Sequence, residues 1–162
     1  MIRTAAILAA ALLALIAGSG AAQDGADCAV TGGPDSCVRV FACLGDDGRW
    51  YGGRAIGSGS GTIEGTANDG VACTGSWAYS TESDYFGTAS FACDDGLEGD
   101  VVYHATDPAT GTAFGEGTAT DGTRIRVWSG EYVLDYLRQE SDTPRARLPC
   151  MSEDEYIASL GD

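Results

Sequence analysis

The chain has 162 residues, 24 of them acidic and nine basic, with no lysine and a net charge of −15. A field of that sign repels phosphate backbones and anionic headgroups, which argues against nucleic acid and membrane surfaces as partners. A basic protein, a cation or an envelope component is compatible with it, and solubility in an exposed compartment explains it most simply.

At the N-terminus Arg3 precedes a thirteen-residue apolar run, Ala5–Ala17, and then the small residues Gly18–Ala22. The pattern predicts a secretory signal peptide over residues 1–22, too short for a membrane span, with cleavage near Ala22. Ser19 stands where a lipoprotein signal would carry its lipidated cysteine, so a released periplasmic or extracellular product with no transmembrane segment is expected. Without Arg3, 24 acidic residues face eight basic ones, a net charge of −16. The remainder is long enough for one domain with a modest core.

All six cysteines (Cys28, Cys37, Cys43, Cys73, Cys93 and Cys150) follow the signal segment. An even count in an exported chain predicts up to three disulfides, with fifteen pairings open. The short loop favours Cys28–Cys37. Cys43–Cys73 would then staple the first half, leaving Cys93–Cys150 to tie down the tail. A metal site would need close C-x-x-C pairs with nearby histidine, and the sequence has neither.

From Phe41 onward the chain repeats itself. "FACLGDDG" (41–48) returns as "FACDDG" (91–96), and "GTANDG" (65–70) as "GTATDG" (117–122). Asp–Gly dipeptides at Asp47, Asp69, Asp95 and Asp121 fall 22, 26 and 26 residues apart. Such dipeptides between alternating segments predict hairpins with type I′ turns. The domain 23–130 thus holds two blocks, 41–90 and 91–130, each of two units. Eight strand-like stretches fit: 37–44, 49–57, 60–67, 71–80, 84–93, 99–106, 111–120 and 123–129. Period-two alternation puts Val38, Val40 and Ala42 on one face, and Ile125, Val127 and Ser129 likewise. The fold class is all-β: an antiparallel meander, open sheet or barrel, of four repeated hairpins.

Residues 131–162 read as a helical tail. Ser129–Glu140 carries Tyr132/Tyr136 and Val133/Leu137 at i,i+4 spacing, and Ser152 with Glu155 forms a capping-box signature. Pro144 and Pro149 bracket a connector bearing Arg145 and Arg147. The tail is expected to dock on the domain as a lid over an open end of the sheet, held by Cys150.

The phrases Asp47–Gly53 and Asp69–Gly75, the latter followed by Trp77, resemble the MORN repeat, built around "DG-x-x-Y-x-G-x-W". That resemblance implies β-hairpins stacked in a ribbon-like sheet and a non-catalytic scaffolding or binding role. It spans about residues 41–130 and is weaker in the last two units, where Gly99 and Ile125 replace the tyrosine. "FACDDG" with "VVY", "VWSG" and a distal cysteine also resembles periplasmic inhibitors of c-type lysozyme. Those are small β-barrels whose F-x-C-x-DG strand is disulfide-linked to the C-terminus, which would suit Cys93–Cys150. Their inhibitory loop carries a lysine that this chain lacks.

Few residues point to catalysis, and the chain is read as a non-enzyme without a cofactor. His104 is the only histidine and sits within a strand pattern with no nucleophile elbow. Gly57–Gly61 lacks the Lys-Ser/Thr of a phosphate loop. Glu64/Asp69 and Glu116/Asp121 are paired carboxylates, but they recur with the repeat, as turn residues do and an active site does not. Calcium is the one metal the turn aspartates 46, 47, 69, 94, 95 and 121 would suit, without an EF-hand pattern. The binding signal is aromatic: Trp50, Tyr51, Trp77, Tyr79, Tyr85, Phe86 and Trp128 would line one face, with core packing as the simpler role. Trp77 and Trp128, at matching phases of the two blocks, are expected on the same face. The functional expectation is an exported, disulfide-stabilised binding or structural module with a protein or envelope partner, or alternatively an inhibitor of a secreted hydrolase such as a c-type lysozyme.

Overall fold

A computed structural model describes residues 28–81 and 86–157. The segment read as a signal peptide lies outside them. Eight strands follow in chain order: β1 (Cys37–Leu44), β2 (Trp50–Ser58), β3 (Ser60–Ala67), β4 (Ala72–Tyr79), β5 (Gly87–Cys93), β6 (Glu98–Asp107), β7 (Thr112–Ala119) and β8 (Arg124–Gly130). One helix, α1 (Val133–Ser141), comes after them. Each strand pairs antiparallel with the next, and β8 pairs with β1, so the sheet is a closed up-and-down barrel. The four sequence units are its four hairpins. They do not stack as an open ribbon, because Arg39 to Leu44 of β1 find partners from Gly130 to Ile125 of β8.

In a meander every second turn falls at the same end, so the four Asp–Gly turns share one end of the barrel. Three of them have the same form. Gly70, Gly96 and Gly122 donate N–H bonds to Ala67, Cys93 and Ala119, and the Asp69, Asp95 and Asp121 carboxylates accept from the backbone N–H two residues on. Only the glycine has positive φ (89°, 90° and 91°), not the aspartate. These are therefore three-residue type I turns closed by a left-handed glycine, rather than the expected type I′ turns, which need two positive-φ residues.

Alternation sorts the side chains into two cores. Inward residues include Val40, Ala42 and Leu44 of β1, Tyr51 and Ala55 of β2, Val101 and Tyr103 of β6, and Ile125 and Val127 of β8. A second cluster lies outside the wall: Phe41, Cys43 and Trp128 against Val133, Leu137, Leu148, Met151 and Ile157. β1 and β8 thus carry apolar residues on both faces, with Phe41, Cys43 and Trp128 outward beside arginines, whereas the outer face of β3 carries Ser60, Thr62, Glu64 and Thr66. An apolar outer face must be covered, and the tail covers it. The tail is accordingly a strap on the barrel's flank, not a lid over its end. Val133 and Leu137 of α1 point into this outer core. The second expected helix does not form over residues 152–157. Glu155 reaches back to the Ser152 N–H (3.1 Å), but the chain makes only a turn there.

All six cysteines are bonded, as Cys28–Cys37, Cys43–Cys150 and Cys73–Cys93. The expected Cys43–Cys73 and Cys93–Cys150 pairs are excluded by facing. Cys43 lies outside the wall with the tail, whereas Cys73 and Cys93 are directly opposite each other inside it. Chain-entropy reasoning ranks the bridges by loop length, at roughly 5 kcal/mol for the 107-residue Cys43–Cys150 span and roughly 2.5 kcal/mol for the nine-residue Cys28–Cys37 span. Urea unfolding of the two double Cys→Ser variants is expected to show the larger loss for Cys43/Cys150; an equal or reversed order would contradict the strap.

Candidate functional site

The two ends of the barrel differ. At the Asp–Gly end Leu44, Leu97 and Ile125 fill the lumen, with Val71 packed against them. Outside this plug Arg49 joins two turns, its guanidinium 2.9 Å from Asp69 and 2.6 Å from Asp95, while Arg126 pairs with Asp46 at 3.0 Å. The Asp95 carboxyl is held below its usual range first by the Leu97 N–H and then by Arg49, and Asp121 by the Thr123 N–H. Of the six aspartates offered for calcium, Asp46, Asp69, Asp95 and Asp121 are thus engaged by turns or arginines. Among the described residues no cluster of three or more His, Cys, Asp or Glu could hold a metal. The paired glutamates are occupied likewise: Glu64 accepts from the Arg54 Nε–H (2.7 Å) and Glu116 pairs with Arg124. His104 is exposed beside a β-bulge in β6.

At the opposite end the lumen opens into a cavity of about 120 Å³ lined by Val38, Ile63, Trp77, Tyr79, Phe86 and Tyr103, among others. Three rings make its rim. Trp77 meets Tyr79 edge-on at 5.2 Å, and Tyr79 meets Phe86 edge-on at 5.0 Å. Trp77 is anchored by its indole N–H, which donates to the Ile56 carbonyl (3.3 Å). Tyr79 and Phe86 remain 54% and 43% exposed. Below the rim, Ile63 and Tyr103 also line a second cavity of about 40 Å³ among Val40, Ala42, Tyr51, Phe91, Val101 and Val127. Tyr103 thus forms a waist between the two, its hydroxyl beside that of Ser129. Tyr51 lies along the wall over Gly53 and Gly65, where an added Cβ would collide with its hydroxyl. The same Cβ would also meet backbone, the Glu64 carbonyl at Gly53 and the Gly52 carbonyl at Gly65, so ring and neighbouring strand together require glycine there.

The expected aromatic face divides. Tyr51, Trp77 and Tyr79 belong to the lumen, whereas Trp50 and Trp128 sit outside under the tail. Trp77 and Trp128 face opposite ways because they follow Gly70 and Gly122 by seven and six residues, and one residue of phase reverses a strand side chain. Tyr85 lies outside the described residues. Tyr103 does not stand out among the aromatics of the sequence, although its phase with Val101 in "DVVYHAT" marks it as inward.

Neither a protein-family model nor any curated protein matches the chain. Similar solved structures are designed proteins. One is a de novo designed fluorescence-activating β-barrel, at 17% identity and a TM-score of 0.45, covering 59% of this chain and 90% of the design. Another is the redesigned barrel mFAP1 bound to DFHBI, at 16% identity and a TM-score of 0.46, covering 60% and 94%.

The two lumen phenols lead to a pH prediction. Burial raises Tyr51, and burial raises Tyr103 to about 12 against a usual 10.0. Because the folded phenols resist ionisation, their contribution to stability is complete below pH 10 and is lost as pH rises through about 12. Absorbance titration of tyrosinate is expected to show a late component that shrinks in Tyr103→Phe. The two tryptophans give a second one. Trp128→Ala should cost about 3–5 kcal/mol, and Trp77→Ala, half-buried at the rim, roughly 1–2 kcal/mol; equal falls in melting temperature would place both rings in the core.

Proposed function

We propose that this chain is an exported, non-catalytic binding module that takes up small apolar molecules through the open end of its barrel. The observation that carries this is the Trp77–Tyr79–Phe86 rim, exposed at the entrance of an apolar cavity while the other end is plugged. Exposed aromatic clusters that border a concave apolar site are characteristic of ligand entrances. Three disulfides support an oxidising compartment, because such bonds do not persist in a reducing cytosol. Among the described residues no helix is long and apolar enough to cross a membrane. The carboxylates engaged in ion pairs and turns support a non-catalytic role.

A second reading, inhibition of a secreted hydrolase such as a c-type lysozyme, draws support from one observation. Cys150 is bonded to Cys43, so a "Phe-Ala-Cys" strand leading to an Asp–Gly turn is indeed tied to the C-terminal region, though it is the first copy and not Cys93. Lysozyme assays against a protein of equal charge test it.

For the primary reading, Tyr79→Ser and Phe86→Ser should leave the melting temperature nearly unchanged, as exposed positions do. Both should reduce uptake of an apolar probe such as toluene by the disulfide-bonded protein, followed by amide chemical shifts around the cavity. Unchanged uptake in both variants would refute the rim as an entrance.

A further inference from the structure

The bulge in β6 re-aims one side chain into the open-end cavity. The register with β7 runs regularly from Gly99–Ala119 to Tyr103–Gly115, then skips His104, so that Ala105 pairs with Phe114 and Thr106 with Ala113. Parity reverses there. Val101 and Tyr103 are inward, but beyond the bulge Ala105 stands opposite Phe114, which packs on the outer cluster, and Thr106 opposite the inward Ala113. Thr106 therefore lines the cavity of about 120 Å³, where an unbroken strand would have turned Ala105 inward. Bulges at barrel rims and beside sites commonly serve to redirect a side chain in this way. Ala113 pairs on its other side with Ser129 of β8, so Thr106 and Ser129 flank one alanine in a single row across β6, β7 and β8. Tyr103 lies over Gly115 and brings its hydroxyl to that of Ser129. All three residues border the cavity, and since Thr106 is exposed and Ser129 half-buried, a molecule inside it meets both directly.

The rings stand on the other side. β4 and β8 are four strands apart in either direction round the barrel, so Trp77 and Ser129 face each other across the cavity. The Trp77 N–H is committed to the Ile56 carbonyl, so a ligand meets the ring itself on that side. The cavity thus has an aromatic wall and a hydroxyl wall, and no charged side chain lines it. We propose that the Thr106–Ser129 row is the polar recognition edge of the uptake site, and that the ligand is a neutral, flat, one-ring molecule with a hydrogen-bonding group on one edge. This rests on the uptake reading above and narrows it to a chemical class. Simple phenols are the type case. The size fits one ring, since an apolar cavity of roughly 150 Å³ is enough to admit benzene and this one opens to the surface. The ring would lie against Trp77 and Tyr79, edge-on or offset as aromatic pairs prefer. Its hydroxyl would turn to Thr106 and Ser129, whose hydroxyls can each donate or accept. A charged ligand is disfavoured, because nothing in the lining compensates a charge.

The test compares phenol with toluene, nearly equal in size, titrated into the disulfide-bonded protein and followed by amide shifts of Ala113 and Gly130. The wild-type protein is expected to bind phenol about 3- to 10-fold more tightly than toluene, the range of one neutral hydrogen bond. Thr106→Val, which keeps the shape at an exposed position and so leaves the fold intact, should lower that preference. Adding Ser129→Ala should bring it to near unity, with toluene binding retained in both variants. Equal binding of the two probes to wild type, or a preference that survives undiminished in both variants, would overturn the hydroxyl wall and leave the uptake reading standing. Failure of both probes to bind the wild-type protein would overturn both.

Discussion

The molecule depends on the ladder between its first and last strands. Without the pairing from Arg39–Gly130 to Leu44–Ile125, the eight strands would form an open sheet with two bare edges and an exposed apolar face. With it, one face becomes a lumen and the edges vanish. The same two strands carry an apolar patch on their outer side, where Phe41, Cys43 and Trp128 stand together. Closing the barrel therefore creates a second surface to be buried, and the tail supplies the cover through Val133, Leu137 and Leu148. The Cys43–Cys150 bond clamps that cover over the seam. Barrel closure and tail docking are thus one structural event. They also join the most distant parts of the chain, the kind of contact that costs most loop entropy to make.

Local pattern and long-range pairing were not equally legible in the sequence. All eight strands lie close to where alternation and Asp–Gly punctuation predict them, and β1 and β3 coincide with their stretches. Those signals are local, and the hairpins obey them. What sequence distance could not supply was who faces whom. Cys43 and Cys73 look like partners because they are near in sequence, yet they stand on opposite sides of the wall. The same rule of parity that places Val40 and Ala42 inward already puts Cys43 outward. Trp77 and Trp128 fail as equivalents for the same reason, one residue of phase. The capping box at Ser152 formed only one of its two bonds, from the Ser152 N–H to the Glu155 carboxylate, and residues 152–157 make no helix, since Ile157 turns back to bond the Ala146 carbonyl through its N–H (2.9 Å).

The site was half legible. Its aromatics stand out in the sequence as residues, but only the barrel separates Trp77 and Tyr79 from Trp50 and Trp128. The lumen itself was written in the inward positions of β7, which read Ala113, Gly115, Gly117, Ala119. A wall of such small residues leaves space that larger rings from other strands must fill. Tyr51, Phe91 and Tyr103 fill it in part. An added Cβ at Gly115 would press on Val101 and Tyr103, and one at Gly99 would press on Ile125. Small residues here are a steric allowance for neighbouring side chains.

That allowance explains why the barrel has a direction. Near the Asp–Gly turns Leu44, Leu97 and Ile125 use up the space, and acidic turns braced by Arg49 surround the plug. Towards the other end the lumen is lined by Ala55, Gly87, Ala113 and Ser129, too small to meet across it, and the gap persists to the surface. Charge follows the same axis. The Arg49–Asp69–Asp95 bridge lies at the plugged end, whereas the cavity at the open end is lined by rings, small residues and hydroxyls. Among the described residues the lining of the open-end cavity thus carries no charged side chain, and that end is the one with room behind it.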